Sequence, residues 1–293
     1  MDTGRDHCTL AKVYERPIEC AAVNQYVQLF RLGNCIMGVV GLILGALIAA
    51  GPALLDSWMM LIIGSAVVFA FVAGGNSLND YFDREVDKVA HPERPIPSGR
   101  LRPATALNLS ISAFALSIFL SIFLNMISMI IVISAVLVML LYEMVTKKTG
   151  LTGNLSIAWL TGALFLLGGA VVSHIEQVVI IAAMAFLATL GREIVKDIQD
   201  MLGDFDRFTL PKRIGKHRAG MLASTAFLSA VALSPIPYLM GSLGWPYLAV
   251  VIIADAIFIY SATVHFRSPK QGQYWAKIGM LVALVAFLVG GIL

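Results

Sequence analysis

Apolar runs of membrane-span length recur from Tyr26 to the last residue, and no other feature limits the possible folds so sharply. The hydrocarbon core of a bilayer takes roughly 20 mostly apolar residues as one helix. Backbone in lipid must satisfy its own hydrogen bonds, which favours helices for runs this long and this evenly apolar. The spans expected are Tyr26 to Ala50, Trp58 to Leu78, Ala104 to Leu124, Ile127 to Val145, Leu155 to Ser173, Val178 to Ile198, Ala219 to Met240, Trp245 to His265 and Tyr274 to Leu293. The third and fourth are separated only by Asn125-Met126. With 58% of its 293 residues apolar and 13% charged, the chain leaves no room for a separate soluble domain. The expected architecture is therefore all-α: a polytopic bundle of nine transmembrane helices around a central cavity, over residues 26–293, after a tail over residues 1–25.

Charge placement orients this bundle. Nine spans create two sets of alternating segments, and all 21 Lys and Arg residues fall on or beside one set. They lie in the tail through Arg31, the Asp80 to Pro103 loop, Lys147-Lys148, Arg192 to Arg218, and Arg267 to Lys277. The positive-inside rule makes these segments cytoplasmic and the carboxyl terminus external, in the cytoplasmic membrane. The tail carries Arg5, Lys12 and Arg16 but no apolar core, so it does not read as a cleavable signal peptide. Cys8, Cys20 and Cys35 lack metal-ligand spacing and read as free thiols.

Acids at the ends of membrane spans then need an explanation. After the second span the chain reads Asn79-Asp80-Tyr81-Phe82-Asp83-Arg84-Glu85-Val86-Asp87. If the helix runs through it, Asn79, Asp83 and Asp87 share one face at i, i+4 and i+8, flanked by Asn76 and Asp80. At the end of the sixth span Arg192, Lys196, Asp200 and Asp204 repeat the four-residue spacing, with Glu193 and Asp197 beside them. Like charges stacked this way repel unless a cation sits among them. Mg²⁺ takes oxygen ligands and typically one or two carboxylates together with substrate phosphates. Two carboxylate helices at the same end of the bundle can hold ions that bridge a diphosphate. Arg84, Lys88, Arg94, Arg100, Arg102, Lys147, Lys148, Arg192 and Lys196 offer further counter-charge for a leaving diphosphate.

Plainer readings stand beside these. Asp83, Asp87, Asp200 and Asp204 would be solvated helix ends bonded to nearby Arg and Lys, and membrane orientation alone places many of the basic residues. Arg94-Pro95-Ile96-Pro97-Ser98-Gly99-Arg100 is either a loop that folds over phosphate or a rigid connector. Asp255, near the middle of the eighth span, must face the bundle interior, as a hydrogen-bonded structural acid or as a contact to a polar head group. His91, His174 and His217 read as loop residues and His265 as a span-end residue, with no zinc spacing among them.

Asn79-Asp80-x-x-Asp83-x-x-x-Asp87 followed by Arg94-Pro95-Ile96-Pro97-Ser98-Gly99 resembles the first aspartate-rich motif of the UbiA superfamily of intramembrane prenyltransferases. Arg192-Glu193-x-x-Lys196-Asp197-x-x-Asp200-x-x-Gly203-Asp204 resembles the second. Within the family the second motif is most similar to that of the archaeal digeranylgeranylglyceryl phosphate synthases. So are Arg31-Leu32-Gly33-Asn34-Cys35 and the stretch from Tyr142 through Lys147-Lys148-Thr149-Gly150-Leu151-Thr152-Gly153-Asn154, although Leu32 stands where such enzymes often have proline.

The resemblance implies a site and a reaction. Asn79, Asp83, Asp87, Asp200 and Asp204 would hold Mg²⁺ on the diphosphate of a polyprenyl donor, with Asp80 and Asp197 in or near contact. Lys147, Lys196 and the Arg94 to Arg100 arginines would bind phosphate oxygens. Arg31, Arg100 or Lys148 would suit an acceptor phosphate. The carbon–oxygen bond of the donor ionises to an allylic cation, and water must be excluded. In the archaeal subgroup the donor is geranylgeranyl diphosphate and the acceptor the hydroxyl of geranylgeranylglyceryl phosphate. The partners implied are thus a polyprenyl diphosphate, a lipid acceptor and membrane lipid, with no nucleic acid. Two rivals remain: an aromatic acceptor on the same chemistry, and a cation or proton transporter, which would distribute acids across the membrane depth.

Overall fold

A computed structural model of the chain describes residues 25–201 and 208–292. The tail with Cys8 and Cys20, and Gly203 and Asp204 of the second motif, lie outside the described residues. Every regular element described is helical. The long helices are α1 (Leu32–Ala50), α2 (Trp58–Phe82), α4 (Pro103–Ser121), α5 (Met126–Met144), α6 (Leu151–Val171), α7 (Val179–Asp200), α9 (Lys216–Leu233), α11 (Trp245–Val264) and α12 (Pro269–Ile292). Short helices α3 (Arg84–Ala90), α8 (Leu210–Ile214) and α10 (Ile236–Leu239) lie between them.

Among the described residues eight stretches are long and apolar enough to cross a membrane. The first, Leu32–Phe82, is 51 residues long and contains both α1 and α2. A 3-10 segment, Gly51–Ser57, separates the two helices, with Gly51 at φ 52°. The helices then pack antiparallel: Gly38 lies against Val68 and Val72, and Gly64 against Leu42. The narrow gap between α4 and α5 is likewise a true boundary. Asn125 caps α5 by accepting a hydrogen bond from Ser128 N at 2.9 Å, and its amide donates to Ala170 O.

The remaining corrections to the expected elements are local. The first span is broken at Arg31, which takes a left-handed backbone (φ 49°, ψ 66°) between a helical turn over 25–30 and α1. The seventh ends at Leu233, because Pro235 and Pro237 in the next turn lack the backbone N–H donors a helix needs. α12 starts at Pro269, one turn earlier than apolarity alone indicates, and carries Lys270 and Lys277 on its first turns.

The bundle closes on itself because α12 packs against both α1 and α11, while α6 packs against α1, α5 and α7. Lipid supplies little hydrophobic drive between helices, so close backbone approach matters more than it does in water. Such approach is concentrated where α1 meets α6. A Cβ on Gly168 would stand 2.3 Å from Leu42 O, and one on Gly45 would stand 2.7 Å from Phe165 O. Between α1, α6, α7, α9, α11 and α12 lies a cavity of about 210 Å³, walled by Met37, Leu164, Met184, Phe258 and Phe287 among others. Of the side chains lining it, only Thr161 and Asp255 are polar. Asp255 accepts a hydrogen bond from Ser234 Oγ at 2.6 Å, which matches the structural-acid expectation.

Gly168→Val is expected to destabilise the protein by about 1–3 kcal/mol or more through overpacking. Thermal unfolding in detergent measures this directly. Gly33→Ala, with nothing within 4 Å of the added carbon, should leave the midpoint unchanged or raise it.

Candidate active site

The first motif follows from a helix that does not quite stop. α2 ends at Phe82 and Asp83 has φ −84°, ψ 2°, yet the i to i−4 hydrogen bonds continue across the junction. Asp83 N donates to Asn79 O at 2.9 Å, and Asp87 N to Asp83 O at 2.8 Å. The three side chains therefore keep neighbouring positions, and Asn79 Nδ2 reaches Asp83 Oδ2 at 3.3 Å.

Each acid is matched with a cation from elsewhere in the chain. Asp80, 2% exposed, pairs with Arg31 and lies 3.7 Å from Arg94 Nη1. Asp87 accepts from Arg94 Nη1 at 2.6 Å. Asp83 accepts from Lys147 Nζ at 2.6 Å. The left-handed backbone of Arg31, which costs a non-glycine residue about 1–3 kcal/mol, occurs where its guanidinium is held by Asp80 and approaches Asn79 Oδ1 at 3.4 Å. Arg94 is fixed by a loop whose Ile96 and Leu101 are buried with Leu29 and Ala106. That loop is thus a packed connector that also delivers a guanidinium. Arg100, at its exposed end, bonds Gln28, Ser98 Oγ and Glu93 O.

Several residues stand apart from the acids. Arg84 lies over the Tyr81 ring at 4.7 Å and donates to Tyr81 O. Lys88 pairs with Glu85 at 2.7 Å and holds that exposed carboxyl below its usual range. Asn76 donates to Phe30 O at 2.8 Å and meets Asn34 at 3.4 Å. Lys148 is exposed, while its carbonyl accepts from Phe208 N at 3.1 Å.

The connection from α5 to α6 touches both motifs. Lys147 reaches Asp83 from one end of it, below the Tyr142 ring at 5.9 Å. From the other end Asn154 Nδ2 donates to Asp197 Oδ2 at 2.9 Å. Arg192 and Lys196 both pair with Glu193, at 3.0 and 3.4 Å. Asp200, half-buried, ends α7. Glu143 is a site residue that the motif reading passes over. It is buried on α5 and bonds Asn79 at 2.9 Å and Lys147 at 3.0 Å. Asn154 is a second. The signal for Glu143 was present in the sequence: it is the one charge in a 19-residue apolar helix, four residues before Lys147.

The donor chemistry at this end is amide and carboxylate oxygen, which suits a hard cation such as Mg²⁺. Among the described residues no three Asp, Glu, His or Cys side chains converge to hold an ion unaided. Separated carboxylates of this kind fit ions completed by phosphate oxygens rather than an all-protein cage.

A family model described as the UbiA prenyltransferase family matches residues 39–288. The chain belongs to the UbiA prenyltransferase family. Digeranylgeranylglyceryl phosphate synthase of Methanosarcina mazei is 39% identical over 92% of this chain and 99% of its own. A solved structure of a digeranylgeranylglyceryl phosphate synthase is 35% identical, covers 92% of this chain and 98% of that one, and superposes with a TM-score of 0.83. A UbiA homologue from Archaeoglobus fulgidus bound to DMAPP and Mg²⁺ is 15% identical, over 90% and 99% of the chains, with a TM-score of 0.66, and shares the fold. This UbiA protein is thus a multi-pass membrane prenyltransferase, an enzyme rather than a transporter.

Arg94→Ala should strand the Asp87 carboxylate and destabilise the protein by about 1–3 kcal/mol. Adding Asp87→Asn to that variant should recover part of the loss. Thermal unfolding of both variants checks this, and an additive double variant would separate Arg94 from Asp87 energetically.

Proposed function

We propose that this UbiA protein transfers a geranylgeranyl group from geranylgeranyl diphosphate to the free hydroxyl of geranylgeranylglyceryl phosphate, making an ether bond of archaeal membrane lipid. The observation that carries the reading is 39% identity to a digeranylgeranylglyceryl phosphate synthase over nearly the full length of both chains. The proposed setting is the cytoplasmic membrane, with nine crossings, a cytoplasmic amino terminus and an external carboxyl terminus. The oxygen donors and basic residues then open toward the cytoplasm, where a diphosphate arrives.

Asn79, Asp83 and Asp87 of the first motif, and Asp197, Asp200 and Asp204 of the second, are the proposed Mg²⁺ ligands, with Asp80 beside them. Mg²⁺ bound there neutralises charge on the departing diphosphate. Lys147, Arg94 and Lys196 supply donors to its oxygens, with Arg31, Arg100 and Lys148 available to the acceptor phosphate. The chain of the donor extends into the apolar cavity, whose walls exclude water from the allylic carbon. The carbon–oxygen bond to diphosphate breaks to leave an allylic cation, the acceptor hydroxyl oxygen bonds to that carbon, and its proton leaves with the released diphosphate.

Purified protein given both substrates and Mg²⁺ should yield a diether product, and EDTA should abolish it. Asp83→Ala and Asp200→Ala should each reduce turnover by about a hundredfold or more in protein that still unfolds cooperatively. Near-normal turnover in both variants would remove the two-motif site. Prenylation of an aromatic acid with no diether product would move the acceptor to a ring.

A further inference from the structure

Glu143 stands on a helix that belongs to neither aspartate-rich motif. It is the one charged residue of α5, and its side chain is 0% exposed. A carboxylate withdrawn from water costs several kcal/mol unless it is paired and hydrogen-bonded. Both of its oxygens are satisfied, and both partners belong to the diphosphate end of the site. Oε1 accepts from Asn79 Nδ2 at 2.9 Å, and Oε2 accepts from Lys147 Nζ at 3.0 Å.

An ionised carboxylate accepts and never donates, so it fixes which end of the Asn79 amide faces it. Nδ2 must point to Glu143, and the same group reaches Asp83 at 3.3 Å. The Asn79 carbonyl oxygen is then turned the other way, where Arg31 Nη2 approaches it at 3.4 Å. That oxygen is the only atom of the side chain able to serve a cation. Lys147 is constrained similarly. Its ammonium is shared between Glu143 at 3.0 Å and Asp83 at 2.6 Å, one turn and one helix away respectively. Withdrawal of Asp83 to another cation leaves Lys147 still tied to Glu143, within reach of whatever anion that cation brings.

We propose that Glu143 is a positioning residue: it holds the Asn79 carbonyl oxygen toward Mg²⁺ and tethers Lys147 while the ammonium passes from Asp83 to a diphosphate oxygen. The inference rests on the reading of the first motif as a Mg²⁺-diphosphate site. It assigns no contact between Glu143 and substrate.

Glu143→Gln keeps the shape but replaces one accepting oxygen with an NH₂ group, so either Asn79 or Lys147 loses its partner. Glu143→Asp keeps the charge on a shorter arm. The measurements are made on the whole protein in detergent: unfolding midpoint, the Mg²⁺ concentration for half-maximal turnover, acceptor KM, and Mg²⁺-dependent affinity for the unreactive thiolodiphosphate analogue of the donor. Loss of a group that orients metal-binding side chains typically changes metal affinity or activity by about 10–100-fold. Glu143→Gln is expected to raise the Mg²⁺ requirement and weaken analogue binding by about tenfold or more, with acceptor KM unchanged and the protein folded. Glu143→Asp should fall between it and the wild type. Unchanged Mg²⁺ requirement and analogue affinity in Glu143→Gln would overturn the proposal, and so would a lower unfolding midpoint with both values intact. Should Glu143→Gln fail to fold, Glu143→Asp decides by the same two readouts. Asp83→Asn separates the two levels. If it too leaves Mg²⁺ dependence and analogue binding intact, the underlying site reading fails. If it removes them and Glu143→Gln does not, only the role of Glu143 fails.

Discussion

Carboxylates at the rim of an apolar bundle persist only with counter-charges in contact, and this requirement organises the functional end of the molecule. Four acids of the first cluster, Asp80, Asp83, Asp87 and Glu143, meet three cations, Arg31, Arg94 and Lys147. The cations come from three places far apart in sequence: the residue before α1, the loop after α3, and the 3-10 turn after α5. Each pair therefore ties a distant segment to the end of α2. The left-handed turn at Arg31, the packed loop that carries Arg94 and the tight link from α5 to α6 serve the same electrostatic demand.

The balance is deliberately incomplete in chemical terms. Acids outnumber cations in the described first cluster, so a divalent cation still gains by entering. A buried carboxylate without any partner would be destabilising by several kcal/mol, and arginine and lysine partners remove that penalty before substrate arrives. Guanidinium and ammonium groups also donate well to phosphate oxygens, the role proposed for them here. One set of side chains thus stabilises the bundle and, on the proposed reading, would also serve the diphosphate. Beneath it the cavity needs no polar chemistry of its own. Its two polar wall residues are both engaged, Asp255 by Ser234 and Thr161 by Ile157 O, which leaves the cavity apolar.

Much of this was legible in the sequence because lipid imposes a strong pattern. Span length located most of the long helices, and the acid spacing singled out the candidate site. What the pattern missed depends on contacts across the bundle. Hydropathy cannot show that Arg31 leaves the helical backbone to reach Asp80, since its neighbours are apolar on both sides. Spacing along α2 and α3 equally includes Arg84 and Lys88, yet each is taken by a local neighbour three residues back, Arg84 by Tyr81 and Lys88 by Glu85. Basic residues placed by membrane orientation and those placed for ligand binding share one sequence signature. Glu143 was visible as a lone charge in α5, but its significance lies in the identity of its partners, and those are 64 and four residues away.

Asn154 extends the same logic to the second motif. Its amide donates to Asp197 from the first turn of α6, as Lys147 donates to Asp83 from the 3-10 turn that, with Gly150, links α5 to α6. Gly150, at φ 78°, lets that link fold tightly under the 208–210 backbone; a Cβ there would stand 2.9 Å from Leu210 N. A neutral donor at Asp197 and a charged one at Asp83 divide the work unequally. The first motif is held by full ion pairs, and Asp197 is held in part by a neutral hydrogen bond, which is roughly half as strong. The α5–α6 link therefore contacts an acid of each motif, so both acidic helix ends rest against one short connector.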